Sequence, residues 1–466
     1  MILFIQEDFR MEGIEQIHET ALALLENPGV RIEHPAIEAL LLKEGAASGS
    51  APEVIRFPRK MVEEKMALCP REFRFADRFN QGKVVSAEGE AAIWSVPGMN
   101  ILEKGEFRPF NSVDMARWAR LLDRLPNVDG VFSYAMEDVL PKARDVVGLK
   151  IIAENTTKHI RVLCFSPGGM DVMVRMKEVV GEYPWFSIGF TAHGPLRWTN
   201  LALDIFYRTA GHGIPITVNG EPMAGVSGPV TLAGSAAVGT AEILAGIVLN
   251  QILEPGRPCV FNLGLAHTMD MRSALAVTGG PENALYAQLS ARLGRFYNIP
   301  SGSWVSTEAM IPDAQAGIEK MCGFVTHLQE RVSNIWAVGQ LESELTVSPA
   351  QAVMDDEMIE FARRYLRGVE INEETLVLDL IREVGISGSF LGEMHTLEHF
   401  QKELFMPKTL FRKKRSDWNQ AGCPRLDQTA EEQAQILMAK EPRHGLSPEQ
   451  IKELDSLTRQ YLASFT

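Results

Sequence analysis

The sequence predicts an α/β protein built as a closed (β/α)8, or TIM, barrel with an N-terminal helical appendage and a C-terminal helical extension. Three observations predict it. From about residue 110 onward, short continuous apolar runs alternate with amphipathic helical stretches, as in a parallel sheet covered by helices. There are about eight such units, the number that closes a barrel. The strand-to-helix junctions carry polar residues, and no G-x-G-x-x-G follows an early strand, which argues against an open doubly wound sheet.

Residues 1–80 read as an accessory region. Ile14, Ile17, Ala21, Leu24 and Leu25 recur at helical spacing, and Gly29 stops that helix. A second helix over 35–43 ends at Gly45. A strand-like VIRF follows at 54–57, then a helix through Met61 and Met66. These pieces are too short to bury a core alone, so they are expected to pack on the barrel. Residues 81–405 are assigned to the barrel. Its apolar runs are VDGVFSY (128–134), HIRVLCF (159–165), WFSIGF (185–190), IPITVN (214–219), PCVFNLG (258–264), IPSGSWV (299–305), NIWAVG (334–339) and GISGSFLG (385–392). Helical text separates them at 145–155, 170–180, 200–210, 232–253, 283–297, 314–331, 349–367 and 373–383. Residues 406–466 form the extension. No internal repeat or low-complexity linker interrupts the chain.

Composition narrows the function. The chain has 466 residues, 45% of them apolar and 23% charged, which is ordinary for a globular protein. Its net charge of −14 disfavours general nucleic-acid binding, which needs a cationic surface. The N-terminus lacks a basic and apolar leader pattern. No window reads as about 18 uncharged apolar residues, so neither a signal peptide nor a membrane span is expected. Five dispersed cysteines, none in C-x-x-C spacing, argue against a disulfide framework or zinc knuckle, and a reducing cytoplasm is the expected compartment. There is no H-E-x-x-H, no phosphate-binding G-x-x-x-x-G-K-[ST] and no G-x-S-x-G elbow, so no metal and no nucleotide is expected.

In a barrel, chemistry belongs at the C-terminal strand ends. The polar residues expected there include Glu137, His193, Glu221, His267, Asp270, Ser306, Thr307, Glu308, Glu342 and His395. Aromatics recur beside them: Tyr134, Trp304, Trp336 and Phe390. Such rings either belong to the core or cage a quaternary ammonium, which has no N–H to donate and is held by aromatic faces.

Several stretches carry a specific likeness. IHETALALLENPGVRIEHP (17–35), EPMAGVSGPVTLAGSAAVGTAEILAGIVLNQ (221–251), HTMDMRSALAVTGGPENAL (267–285), IPDAQAGIEKM (311–321), LESELTVSPAQAVMDDEM (341–358) and FLGEMHTLEHFQKELFMP (390–407) occur in order over nearly the whole chain. Together they resemble the trimethylamine methyltransferase family. The resemblance implies a TIM barrel that moves a methyl group from a methylated amine to the Co(I) corrinoid of a partner protein, with no cofactor tightly bound. Founding members of the family carry pyrrolysine just before P-D-A-Q-A-G. Here WVSTEAMIPDAQAG (304–317) places Ser306 at, or within one residue of, that position. Members without pyrrolysine are associated with quaternary amines, glycine betaine first, with proline betaine, carnitine, butyrobetaine and trimethylamine as alternatives.

Under that resemblance, Ser306, Glu221 and Glu308 are the expected catalytic group. Trp304 and Trp336, with Phe390 or Tyr134 behind, are the expected cage. Glu221, Glu308 and Glu342 either supply negative potential or orient neighbours. The carboxylate of a betaine needs a donor, for which His395, His267, Arg272 and Arg197 are candidates; Arg272 equally suits a pair with Asp270. Residues 408–425 hold six basic residues against one acid, either a solvated face or a docking patch for the corrinoid protein. A homo-oligomer is compatible with these features. Two rivals remain at this level: a barrel lyase, which would need a strand-end lysine where only Lys150 and Lys158 come near, and a betaine-binding protein, a class usually exported.

Overall fold

The computed structural model describes residues 5–443 and 445–465, with side chains from residue 12 onward. Eight parallel strands close into a barrel: β1 (Ala92–Ser95), β2 (Gly130–Phe132), β3 (His159–Arg161), β4 (Phe186–Thr191), β5 (Ile216–Asn219), β6 (Cys259–Gly264), β7 (Ser301–Trp304) and β8 (Asn334–Val338). They pair in sequence order, and β8 returns to β1. Register places Trp304, Trp336 and Trp94 level with one another across β7, β8 and β1. With Phe132, Val260 and Leu265 they fill the barrel as an interior cluster separate from the larger core outside it.

The hairpin formed by Glu72–Ala76 and Gly82–Ser86 contributes Phe75 and Val85 to the same cluster. Phe75 meets Trp94 edge-on at 4.6 Å and His159, the first residue of β3, at 4.9 Å. The hairpin thus plugs the N-terminal end and leaves the C-terminal end open.

Seven expected runs are barrel strands, but the eighth is corrected. Residues 385–392 are not a strand; they lie in an exposed stretch with Leu391 86% accessible. The missing strand is β1, an Ala-Ile-Trp-Ser run too short to stand out as a periodic signal. The outer helix after β8, Pro349–Leu366, is the last barrel helix, so the barrel's own elements stop well before residue 405.

A second correction concerns apolar length. The helix Leu232–Leu253 is long and apolar enough to cross a membrane by length and composition, yet it is mostly buried in the protein. It lies between β5 and β6 on one side and the helices Ile5–Glu26 and Arg59–Met66 on the other. A helix packed on both sides is apolar all round. The N-terminal elements therefore supply cover that this helix requires. At the other terminus, Leu426–Met438 packs on Pro349–Leu366 and Ser112–Arg124, and Pro448–Ala463 packs on Pro167–Val180.

Candidate functional site

The C-terminal strand ends open on a cavity of about 360 Å³. Phe132, Arg161 and Trp336 line it from the strands themselves, and so form its deep end. Val162, Leu163 and Phe190 make apolar walls, while His193, Glu221 and Glu344 line it from loops beyond the strand ends.

Three carboxyl groups act on one another here. Burial pushes Glu221 up to about 7. Its side chain has no hydrogen-bond partner among the described residues. Burial and the nearby Glu221 charge push Glu242 up to about 8, partly offset by the Leu196 N–H, which donates to it at 2.8 Å. Burial and the same Glu221 charge hold Glu344 well above the ordinary carboxylate range. A low-dielectric site disfavours each carboxylate separately, and three together disfavour one another. A cation bound among them reverses both effects.

Glu344 reaches the cavity through a strained backbone. Glu342, Ser343 and Glu344 have φ values of 52°, 50° and 77° in succession. Non-glycine residues in this region cost about 1–3 kcal/mol each and persist only where their surroundings over-determine them. The neighbouring loop does so: Glu342 N–H donates to Ala309 O and Ser343 N–H to Thr307 O, both at 2.9 Å. Ser343 Oγ donates to Glu308 at 3.4 Å. The same Glu308 oxygen accepts from Thr278 N–H at 2.6 Å, Thr278 Oγ1 at 2.8 Å and Gly279 N–H at 2.7 Å. Ser306 Oγ lies 2.6 Å from Thr278 Oγ1 and 2.7 Å from the Gln340 amide. Ser306 and Glu308 therefore brace the loop that carries Glu344, and neither lines the cavity.

The expected site residues separate into groups. Glu221 and Trp336 line the cavity. Trp304 sits in the interior cluster below, its backbone oxygen 2.9 Å from the His327 ring and its own ring 6.4 Å from that of His267. His267 is buried with Nδ1 at 3.0 Å from Leu265 O. Tyr134 belongs to the outer core, stacked on Phe110 at 4.7 Å. Glu342 turns away to accept from Thr346 Oγ1 at 2.5 Å. Arg272 is 91% exposed and paired with Asp270 at 2.9 Å; Arg197 pairs with Glu33 at 2.7 Å. Phe390 and His395 lie in the segment after the last barrel helix, where the His395 ring stacks on His399 at 4.3 Å.

The four-ring cage is not assembled within one chain. One face of Trp336 and of Phe132 is already covered by the Arg161 guanidinium, at 5.7 and 5.1 Å from the ring centres. Arg161, Glu242 and Glu344 were not among the expected site residues. A signal existed for Arg161, a lone charge inside the apolar run HIRVLCF. Glu344 stands two residues from Glu342, and only the left-handed turn decides which of them reaches the cavity. Among the described residues no group of three His, Cys, Asp or Glu side chains is placed to hold a metal.

Comparison with known proteins follows the fold. A family model described as trimethylamine methyltransferase (MTTB) matches residues 5–464. The trimethylamine methyltransferase MttB of Desulfitobacterium hafniense is 29% identical over 441 residues, covering 91% of this chain and 88% of the relative. The MttB of Methanosarcina barkeri (strain Fusaro) is 27% identical over 481 residues, covering 96% and 94%. A glycine betaine methyltransferase of Desulfitobacterium hafniense is 28% identical over 428 residues, covering 87% of each. The crystal structure of MtmB in its hydroxylamine complex shares the fold with a TM-score of 0.51 at 13% identity, covering 97% of this chain and 93% of that one. With a family match over almost its entire length and a closed eight-stranded barrel beneath it, the chain belongs to the trimethylamine methyltransferase family and is a methyltransferase.

Proposed function

We propose that the protein takes a methyl group from a quaternary amine, glycine betaine first, and delivers it to the Co(I) corrinoid of a partner protein, leaving dimethylglycine. The observation that carries this reading is the pair Glu221 and Glu344 lining the outer part of a largely apolar cavity, with the buried Glu242 close enough to feel the Glu221 charge. Carboxylates with no cationic partner of their own suit a permanent cation. The glycine betaine relative supports the choice of donor, as does a serine, not a reactive electrophile, at position 306.

The cobalt supplied by the partner contributes a strong nucleophile. A quaternary amine leaves as a neutral tertiary amine, with the N–CH₃ electron pair staying on nitrogen, so no general acid is required. The chain's own task is positioning and electrostatics. Glu221 and Glu344 attract the ammonium, and the apolar walls exclude water from it. The rim fits a broad apolar face: Met99, Phe165, Met271, Leu275, Met310 and Leu345, on five mouth loops, are all exposed. A corrin ring presented by a partner would lie against these side chains. Lys408, the first of the basic residues at 408–425, pairs with Glu360 on the outer helix Pro349–Leu366, and a docking role for the stretch predicts salt-sensitive transfer to the protein partner but not to free cobalamin.

The test is anaerobic. The protein is mixed with free Co(I) cobalamin and, separately, glycine betaine, proline betaine, carnitine, butyrobetaine, choline and trimethylamine, and loss of the Co(I) absorbance is followed. Fastest loss with glycine betaine is expected. Reaction with trimethylamine alone, or with none of them, overturns the proposal.

A further inference from the structure

Arg161 is the one cavity residue whose charge the carboxyl groups do not answer. It ends strand β3 with its side chain inside the barrel, 3% exposed. Nη1 donates to Val162 O at 2.6 Å and Nη2 to Thr217 Oγ1 at 3.2 Å. Nε is buried with no partner. No carboxylate pairs with it among the described residues. Burial lowers its pKa to about 10, which leaves it charged at neutral pH. A buried guanidinium with no carboxylate partner is costly, and only two of its five N–H donors are engaged.

The fold makes room for this group deliberately. A Cβ on Gly189 would stand 2.1 Å from Arg161 Nη2 and 2.0 Å from Thr217 Oγ1. Only glycine on β4 lets the guanidinium lie across to β5. Its depth is also fixed. It reaches the level of Thr217 within β5, whereas Glu221 lies beyond the C-terminal end of that strand. The cavity therefore has a cationic deep end and an acidic outer end.

We propose that Arg161 binds the carboxylate of the methyl donor, so that the site selects carboxylate-bearing quaternary amines and holds them with the ammonium outward. This rests on the methyl-transfer reading above and adds the residue and the orientation. The methyl acceptor arrives at the open end, so the transferred methyl must face outward. The far end of the donor then points at the guanidinium. A donor without a carboxylate, such as choline, leaves that charge unanswered.

The test is calorimetric binding of glycine betaine and choline to the full chain, wild type and variants, with transfer to free Co(I) cobalamin measured alongside. Wild type is expected to bind betaine about 30-fold or more tighter than choline, the effect of one buried charge-assisted contact. Arg161→Met should remove that preference by weakening betaine, while choline, relieved of a neighbouring like charge, binds no more weakly than to wild type. Arg161→Lys keeps the charge but loses the fork, and should retain only part of the preference; it decides the matter if the Met variant does not fold. Equal affinity of wild type for both amines, or equal weakening of both by Arg161→Met or Arg161→Lys, overturns the role of Arg161. If transfer from either amine persists in that case, the methyl-transfer reading stands without it. Absence of binding and transfer with every amine overturns both.

Discussion

The barrel mouth and the segment 368–406 both carry stretches that resemble the family, yet physically they are opposites. At the mouth, charged groups are buried: Arg161, Glu242, Lys320 and Asp355 are almost wholly enclosed, and a strained turn is fixed by hydrogen bonds to its neighbour loop. In 368–406, apolar groups are exposed. The helices Glu373–Leu376, Leu378–Val384 and Met394–Glu403 contain no buried residue, and Ile386, Leu391, Met394 and Leu397 face solvent. Burying a charge and exposing a leucine are both unfavourable. Only the first is accompanied, within one chain, by partners that hold it in place. Sequence likeness treats the two regions alike; burial of polar groups separates them.

The enclosed charges of the mouth are disturbed most directly from beneath it. Lys320 and Asp355 form a fully buried pair at 2.7 Å. Lys320 also donates to Ala337 O at 2.8 Å and Gln340 O at 3.3 Å, and Asp355 accepts from Gly339 N–H at 2.7 Å. Together they anchor the start of the loop that carries Glu344. Lys320→Met strands a buried carboxylate, and a loss of about 3–5 kcal/mol in urea unfolding is expected. Lys320→Met with Asp355→Leu should recover most of that stability but not the transfer rate, since the loop anchor is gone. A single-variant loss below about 1 kcal/mol would show that the mouth is not held this way.

The next effect is in pH. Glu221 is raised to about 7, so it is a carboxylate above that value and a neutral acid below it. Affinity for a quaternary amine should therefore fall as pH drops through 7, by up to roughly tenfold per unit. A bound ammonium lowers the Glu221 pKa, so binding above its bound value and below its free value releases a proton. His193 and Arg161 line the same cavity, and burial still raises Glu242 and Glu344 in Glu221→Gln, though less than beside a Glu221 carboxylate, so part of the dependence survives in that variant. Calorimetry in buffers of different ionisation heat measures the proton directly. Equal affinity at pH 6 and pH 8 in the wild type would sink the assignment.

Legibility followed length and periodicity. The runs HIRVLCF, PCVFNLG and NIWAVG are apolar enough to declare buried strands, and they are β3, β6 and β8. Strand β1 is four residues long and precedes the alternation, so GISGSFLG took its place on composition alone. Glu221 and Trp336 were reachable because strand ends locate the mouth. Glu242 was not, because it lies on a helix that reads as uniformly apolar. Glu344 required knowing three left-handed residues, which no residue type at 342–344 signals. Arg161 stood in plain view, but its meaning depends on having no partner, a three-dimensional fact.

The smallest expected effects lie in the exposed segment, and they test the other side of the comparison. Leu391→Ser removes a side chain that is 86% exposed, so unfolding free energy should stay within about 0.5 kcal/mol of wild type. His395→Ala should leave the KM for glycine betaine unchanged, because within one chain its ring meets His399 and not the cavity. These are small numbers with large consequences. A drop of about 2 kcal/mol for Leu391→Ser would mean that the segment is buried in solution, which a single chain does not do. A tenfold rise in KM for His395→Ala would mean that this histidine reaches a site, and the only route to one would then be the mouth of another chain. Either result would turn the exposed segment from the opposite of the mouth into part of it.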